Sequence, residues 1–251
     1  MQRALITGGS TGIGAALARE LGRRGWAVAL VARRQELVDA VAAELPQGVG
    51  IGCDVTDSAA VHEAVRVAAE QLGGPIDLAV ANAGVGVTFA ATKFNLTEAE
   101  RMIRVNVLGM MYLFDAVIPG MVERRSGQFA GVASIAGLRG MPVSAVYSAS
   151  KAAMQAFLEG TRVELAPHGI AVTTINPGFI ATPMTEKNRF RMPFLMKAEE
   201  AAAVIANGLE RRARVIEFPR PMSLLMRTMR LVPDAIYDTL TAPMARRKPS
   251  A

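Results

Sequence analysis

Residues 7–14 have the sequence TGGSTGIG and stand between an apolar run at residues 4–6 and a segment of helical periodicity at residues 13–24. Glycine permits backbone angles and close approaches that a Cβ would block. The start of a helix offers free N–H groups and a positive dipole end, which suit a pyrophosphate. The turn therefore predicts a nucleotide-phosphate site, with a tight turn that holds no ligand as the alternative. The residues that would form this site are Gly8, Ser10, Thr11, Gly12, Ile13 and Gly14.

Beyond this turn, short apolar runs alternate with longer helical patterns. The alternation is typical of a parallel sheet that is covered by helices on both faces. We predict an α/β fold, a Rossmann-type doubly wound parallel sheet of about seven strands, with its ligands at the carboxyl ends of the strands. Besides the first strand and helix, the predicted strands lie at residues 27–32, 49–51, 76–81, 129–133, 170–175 and 215–218, and the predicted helices at residues 35–45, 58–72, 97–124, 145–166 and 198–211.

The composition excludes several classes of protein. The 251 residues are 51% hydrophobic, which is enough for the core of one α/β domain. The net charge of +6 is spread along the chain without a basic run, so we expect no nucleic-acid partner. Cys53 is the only cysteine, and His62 and His168 have no partners at ligand spacing, so we predict neither an intrachain disulfide nor a metal site. Without a secretory leader or a membrane span in the pattern, a cytoplasmic location is expected.

Two arginines follow the second predicted strand, where an NAD enzyme usually has an acid that binds the ribose 2′-hydroxyl. A guanidinium can instead bind the 2′-phosphate of NADP through paired hydrogen bonds. Arg33 and Arg34 therefore favour NADP(H) as the cofactor, Arg33 more strongly because it is closer to the strand. The alternative is that both are solvated residues at the start of the next helix.

Three side chains of the right chemistry for carbonyl reduction occur close together in the sequence. Tyr147 and Lys151 are four residues apart on a predicted helix and so share one face, and Ser134 ends the preceding strand. A tyrosine has an ordinary pKa of about 10, and a nearby ammonium would lower that pKa and so favour the phenolate. Ser134 could position the substrate oxygen. Singly, the three would be a packed aromatic, a solvated lysine and a strand-end hydroxyl.

Several motifs together make the chain similar to the short-chain dehydrogenase/reductase family, in its branch of about 250 residues. The resemblance covers residues 3–218. Its motifs are TGGSTGIG at 7–14, CDVTD at 53–57, ANAG at 81–84, VNVLG at 105–109, Ser134, YSASK at 147–151 and NPGFIATP at 176–183.

The resemblance implies a role for each residue of these motifs. Asn106, Ser134, Tyr147 and Lys151 would be the catalytic tetrad, with Asn106 kinking its helix and holding a water that relays protons to Lys151. Tyr147 and Lys151 would also contact the cofactor. The remaining cofactor-binding residues would be Asp54 and Val55 at the adenine, Asn82, Ala83 and Gly84 at the ribose, and Pro177, Gly178, Ile180 and Thr182 at the nicotinamide.

The sequence thus predicts an NADP(H)-dependent oxidoreductase that transfers a hydride between the nicotinamide and a carbonyl or secondary alcohol, with Tyr147 as acid and base. Residues 183–197 stand where the family has a substrate lid, and their Met and Phe side chains indicate a hydrophobic substrate. The alternatives are a nucleotide-binding sensor or interaction module on the same fold, and a membrane-surface reductase of lipid ketones or 3-oxoacyl groups.

The last thirty residues depart from the family. We predict a catalytic domain at residues 1–219, lid included, and a helical C-terminal extension at residues 220–251. Met222, Leu225, Met226, Met229 and Val232 form a stripe at helical spacing. This stripe would dock on the domain or a partner, or rest on a membrane surface. Because the last predicted strand ends at Pro219, we expect a homodimer through the helices at 97–124 and 145–166, with a tetramer as the alternative.

Overall fold

A computed structural model describes residues 1–186 and 192–245. Its main feature is one sheet of seven parallel strands, which are β1 (Arg3–Thr7), β2 (Ala27–Ala32), β3 (Gly48–Gly52), β4 (Leu78–Ala81), β5 (Gly127–Val132), β6 (Ile170–Pro177) and β9 (Val215–Phe218). Their order in the sheet is β3-β2-β1-β4-β5-β6-β9. The predicted doubly wound fold is confirmed.

Helices cover both faces of this sheet. They are α1 (Gly12–Arg23), α2 (Gln35–Ala42), α3 (Ser58–Gln71), α4 (Leu96–Ile103), α5 (Gly109–Glu123), α6 (Ala145–Leu165) and α7 (Ala198–Glu210), followed by α8 (Arg220–Leu231) and α9 (Asp234–Ala245). Successive strand residues point to opposite faces. On β1, Ile6 packs with α1, α2 and α7, whereas Leu5 packs with α3, α5 and α6.

The helix predicted at residues 97–124 is interrupted by a π-helical turn. This turn covers Arg104–Leu108, between α4 and α5. The helical run Leu96–Glu123 contains a window of mean hydropathy 1.6, so by length and composition alone it could cross a membrane. However, Leu113 and Met121 are fully buried against the sheet, which is the arrangement of a core helix.

Residues 220–245 of the C-terminal extension are helical over most of their length, as predicted, and they dock on the domain. Met222 and Met226 of α8 are buried against Ile135. The predicted stripe is wrong at Leu225, which is 51% exposed. Leu225 is one position before Met226 and therefore points about 100° away around the helix.

The sequence patterns do not predict two short strands, which pair at the two ends of the lid loop. They are β7 (Ile180–Ala181) and β8 (Met196–Lys197), which pair in parallel, Ile180 with Met196. The pair joins the two ends of the predicted lid at 183–197, whose residues 187–191 lie outside the described residues.

Candidate active site

A cavity of about 660 Å³ opens at the carboxyl ends of the central strands. This edge is where β1 and β4 lead to helices on opposite faces of the sheet, so the chain leaves a crevice there. The cavity brings together the predicted site residues, which come from six different strand ends and from α6. Among those residues, only Gly14 and Asn106 do not line it.

The glycine turn is held open by the end of β4. Gly8 and Gly12 have φ angles of +68° and +57°, which favour glycine. Asn82 donates its side-chain amide to the carbonyls of Thr7 (2.9 Å) and Gly8 (3.1 Å), and its backbone N–H donates to the Thr7 hydroxyl at 3.1 Å. These bonds fix the turn against β4 and leave the start of α1 facing the cavity.

Gly14 does not line the cavity and is closely packed, and its predicted contact with the cofactor stays a prediction. A Cβ at this position would overlap the carbonyl oxygen of Gly8 and crowd the side-chain amide of Asn82. Gly14 therefore lies behind the cavity wall. Its missing side chain lets α1 approach the turn closely.

Where β2 and β3 end, the cavity is lined by the two predicted arginines and by Asp54. Arg33 and Arg34 are both exposed, and neither forms an ion pair within the described part of the chain. Asp54 accepts from the backbone N–H and the hydroxyl of Thr56, at 2.9 and 2.8 Å. This end can therefore offer two guanidinium groups to an anion.

Ser134, Tyr147 and Lys151 converge on the same cavity. The Ser134 hydroxyl donates to the Pro177 carbonyl at 3.4 Å and is close enough to the Tyr147 phenol to lower the pKa of that phenol. The Lys151 ammonium is buried, donates to the Val132 carbonyl at 2.8 Å, and lies 5.8 Å from the centre of the Tyr147 ring. The fourth member, Asn106, lies behind them and does not touch the cavity.

The electrostatics of this cluster differ from the prediction. Burial raises the pKa of the Tyr147 phenol above its ordinary value, and the hydrogen bond from Ser134 offsets this only in part. Burial also lowers the pKa of Lys151 to about 7. In the protein alone, the Tyr147 pKa is therefore raised rather than lowered, and Lys151 is not among the causes of the shift.

Asn106 occupies the centre of the π turn and is fully buried. Its side chain accepts from the Val85 N–H at 2.8 Å and donates to the Val85 carbonyl and the Ser150 hydroxyl, both at 3.0 Å. Asn106 thus joins the loop after β4 to α6. The helix distortion that the family resemblance implies at this residue is present, and its water relay stays a prediction.

The loop after β6 forms another wall of the cavity. Pro177, Gly178, Ile180 and Thr182 line the cavity, as predicted. Thr185 accepts from the Thr182 N–H at 3.0 Å and donates to the Ile180 carbonyl at 2.6 Å, which fixes the start of the lid.

Sequence reasoning missed one wall of the cavity. It comes from α4 and the π turn and contains Thr97, Glu100, Arg101, Arg104 and Val105. Arg101 is paired with Glu98 at 2.8 Å, whereas the Arg104 side chain is exposed. Val105 begins the VNVLG motif, but the motifs contain no signal for the other four residues, because only the packing of α4 over the crevice brings them to the site. Within the described ranges, no cluster of three or more His, Cys, Asp or Glu residues could hold a metal ion.

Comparison with known proteins identifies relatives over most of the chain. The profile of the family described as short chain dehydrogenase matches residues 2–192. An uncharacterized oxidoreductase of Myxococcus xanthus is 39% identical over 94% of each chain. A short-chain dehydrogenase from Sphingobium yanoikuyae, solved in complex with NADPH, is 28% identical with a TM-score of 0.80, over 99% of this chain and 97% of that one. A 3-ketoacyl-(acyl-carrier-protein) reductase from Brucella melitensis, complexed with NADH, is 27% identical with a TM-score of 0.79, over 86% of this chain and 96% of that one.

Proposed function

The chain belongs to the short-chain dehydrogenase family of oxidoreductases, and from this premise we propose that it is an NADP(H)-dependent carbonyl reductase or alcohol dehydrogenase. The observation that carries the proposal is the convergence of Ser134, Tyr147 and Lys151 on a cavity that is also lined by two exposed arginines. Each of the three groups is ordinary alone. Together they supply a proton donor, an oxygen-binding hydroxyl and a buried amine.

The residues of the cavity fit a dinucleotide. The turn at Gly8 and Gly12 leaves the start of α1 open to a pyrophosphate. Within its described surroundings, the Lys151 amine donates to Val132 and lies 3.5 Å from the sulfur of Met154, so it retains donor capacity for a ribose hydroxyl in the cavity. When bound, NADPH supplies a hydride to the carbonyl carbon of the substrate.

In the proposed reduction, Tyr147 donates its phenolic proton to the carbonyl oxygen as the carbon accepts the hydride. Ser134 donates a hydrogen bond to the same oxygen and orients it beside the phenol. The raised pKa of Tyr147 keeps the phenol protonated before reaction. Lys151, whose pKa is about 7, can hold or release a proton at neutral pH and so restore the proton of the phenolate. In the alcohol-oxidising direction, Tyr147 accepts the proton instead.

The preference for NADP(H) over NAD(H) rests on Arg33 and Arg34. The end of β2 has no acid for a ribose 2′-hydroxyl, and both guanidinium groups are exposed at the cavity. A 2′-phosphate would supply the anion that they lack, through charge-assisted and paired hydrogen bonds.

A hydrophobic substrate is supported by the apolar side chains at the mouth of the cavity. Met184 lines the cavity and is 43% exposed, and Phe194 and Leu195 beyond it in the lid are also exposed. Exposed apolar groups of this kind favour an apolar ketone or an acyl chain over a sugar.

The decisive experiment replaces the proton donor. Tyr147→Phe keeps the ring and removes the hydroxyl, so we expect carbonyl-dependent NADPH oxidation to fall by about 1,000-fold or more, with NADPH affinity within about twofold of wild type. Tyr112→Phe on α5, away from the cavity, is the matched control and should leave turnover unchanged.

The assay is run over a panel of ketones, aldehydes and 3-oxoacyl compounds. Full turnover by Tyr147→Phe would overturn the mechanism. If wild type bound NADPH and reduced no member of the panel, a nucleotide-binding module would become the better description.

A further inference from the structure

The loop that joins Ser134 to Tyr147 is tied to the C-terminal extension through one largely buried arginine. Arg139 lies in this loop, and its side chain is only 13% exposed. One guanidinium nitrogen donates to the carbonyls of Met229 (2.5 Å) and Val232 (2.6 Å), at the end of α8. The other donates to Asp234 at 2.8 Å, in the first turn of α9. Arg139 thus supplies a second donor to the Met229 carbonyl, which also accepts from the Val232 N–H at 3.3 Å, and a donor to the Val232 carbonyl just after the helix.

A tyrosine of the extension completes this contact. The Arg139 guanidinium lies 3.9 Å from the centre of the Tyr237 ring, and Tyr237 is buried. Its hydroxyl donates to the Gly140 carbonyl at 2.5 Å. We call Arg139 and Tyr237 the clamp. Because its contacts go to two successive loop residues and to both helices of the extension, the clamp fixes the loop and the extension relative to each other.

The clamped loop contains a strained residue. Val143 has a φ of +58°, and a β-branched side chain is a rare outlier in the left-handed region. Such strain persists only where the surroundings enforce it. The Val143 carbonyl accepts from the Phe89 N–H at 2.9 Å on one side. On the other side, the clamp holds the loop at Arg139 and Gly140, four and three residues before Val143.

The loop is also packed directly on the reacting groups. The Met141 N–H donates to the hydroxyl of Ser148, the neighbour of Tyr147, at 3.3 Å. A Cβ on Gly137 would come within 2.8 Å of the Lys151 backbone, so the loop touches α6 at the lysine itself. Displacing the loop would therefore shift the phenol and the serine relative to each other.

From these contacts we infer that Arg139 is a positioning residue, and that the C-terminal extension is part of the active site because the clamp sets the geometry of the Ser134–Tyr147 pair. Among the described residues, the hydrogen bonds of the clamp go to the extension and to Gly140 and Met141, and none goes to a predicted cofactor-binding residue. Its loss should therefore impair the handling of the carbonyl and spare the binding of NADPH. The inference rests on the proposed function for its kinetic part, whereas its structural part can be measured without any substrate.

The test compares Arg139→Ala, Arg139→Lys and Tyr237→Phe with wild type, with Arg220→Ala as the matched control. Arg220 is an exposed residue at the start of α8, so Arg220→Ala also removes one positive charge but leaves the clamp intact. For Arg139→Ala we expect kcat/KM for the carbonyl to fall by about 10- to 100-fold, with the NADPH Kd within about twofold of wild type. Added guanidinium chloride at low concentration should recover part of the lost kcat/KM.

Arg139→Lys should be nearly as impaired as Arg139→Ala, because one ammonium cannot reach two carbonyls, a carboxylate and a ring in the geometry of a guanidinium. Hydrogen exchange on the same full-length variants should accelerate at residues 138–146 and 229–240 and remain unchanged in β1 and β4. Wild-type exchange at residues 138–146 in Arg139→Ala, or unchanged kcat/KM, would overturn the inference. If wild type reduced no carbonyl, the proposed function would fail while the exchange data still decided whether the clamp orders the loop.

Discussion

Arg33 is the residue on which the choice of cofactor depends. If its guanidinium binds a 2′-phosphate, Arg33→Ala should raise the KM for NADPH by about 10- to 100-fold, since a hydrogen bond between charged groups is among the stronger ones. The KM for NADH, which lacks this phosphate, should change by less than about threefold. Steady-state rates with both cofactors and one carbonyl substrate measure the difference.

Arg23 provides the control for this substitution. It is also exposed, but it lies at the end of α1 and pairs with Glu20 at 2.8 Å, away from the cavity. Arg23→Ala should leave both KM values unchanged. Equal increases for NADPH and NADH in Arg33→Ala would contradict the assignment of NADP(H).

Lys151 makes the stability of the protein depend on pH. Burial lowers its pKa from 10.5 to about 7, so between these values the unfolded chain binds more protons than the folded one. The free energy of unfolding should therefore rise as pH increases from 7 towards 9. Below pH 7 both states bind the proton, and the folded state bears the full cost of the buried charge.

Lys151→Met should remove this dependence, because it keeps the shape and loses the charge. At pH 6 we expect the free energy of unfolding of the variant to exceed that of wild type by several kcal/mol. This gap in the free energy of unfolding should narrow by pH 9. Urea unfolding of the cofactor-free protein across this range measures the gap. The range stops at pH 9 because burial raises the pKa of the Cys53 thiol to about 11. Above pH 9 the folded chain therefore holds this proton more tightly than the unfolded chain does, and the free energy of unfolding falls as pH rises. A gap that does not change with pH would show that the amine is not desolvated.

At the scale of elements, the junction of β1 with α1 tolerates no side chain at Gly14. A Cβ there would overlap the Gly8 carbonyl, so Gly14→Ala must displace either the turn or α1. We expect a loss of about 1–3 kcal/mol in the free energy of unfolding, together with weaker NADPH binding. Thermal unfolding and a fluorescence titration measure the two effects.

Gly160 offers a matched substitution in a helix. It lies in α6, and a Cβ added there would meet no neighbouring atom within 4 Å, so Gly160→Ala should stabilise the protein by about 0.5–1 kcal/mol and leave NADPH binding unchanged. If Gly14→Ala behaved like Gly160→Ala, the packing role of Gly14 would be wrong.

At the scale of the whole molecule, we predict a homodimer through the helical run Leu96–Glu123 and α6. Val163 of α6 is 69% exposed, as expected of a residue covered by a partner. Val163→Arg should convert the dimer to a monomer, because an interface centre tolerates an unpaired charge poorly. Light scattering coupled to gel filtration measures the mass against 26.6 kDa for one chain.

Leu240→Arg is the control for this surface. Leu240 is 58% exposed on α9, a helix that is not part of the proposed interface. A dimer that survives Val163→Arg and dissociates with Leu240→Arg would place the contact on the extension instead. Binding of the extension to a lipid surface stays a prediction, which co-sedimentation with anionic vesicles tests.

The fold and most of the cavity could be predicted from the sequence, because both are encoded by local patterns. A glycine turn between strand and helix, alternating periodicities and a tyrosine four residues before a lysine each act within a few residues of chain. These patterns name ten of the nineteen predicted residues that line the cavity, and the family resemblance implies the other nine.

Tertiary structure alone decided the features that depend on groups distant in sequence. The direction of the Tyr147 pKa follows from burial, which is the sum of packing by many elements and has no motif. The clamp joins Arg139 to residues about ninety or more positions away. Gly14 and the wall from α4 likewise take their roles from neighbours that only the folded chain brings together, because contact and desolvation are properties of the packed molecule.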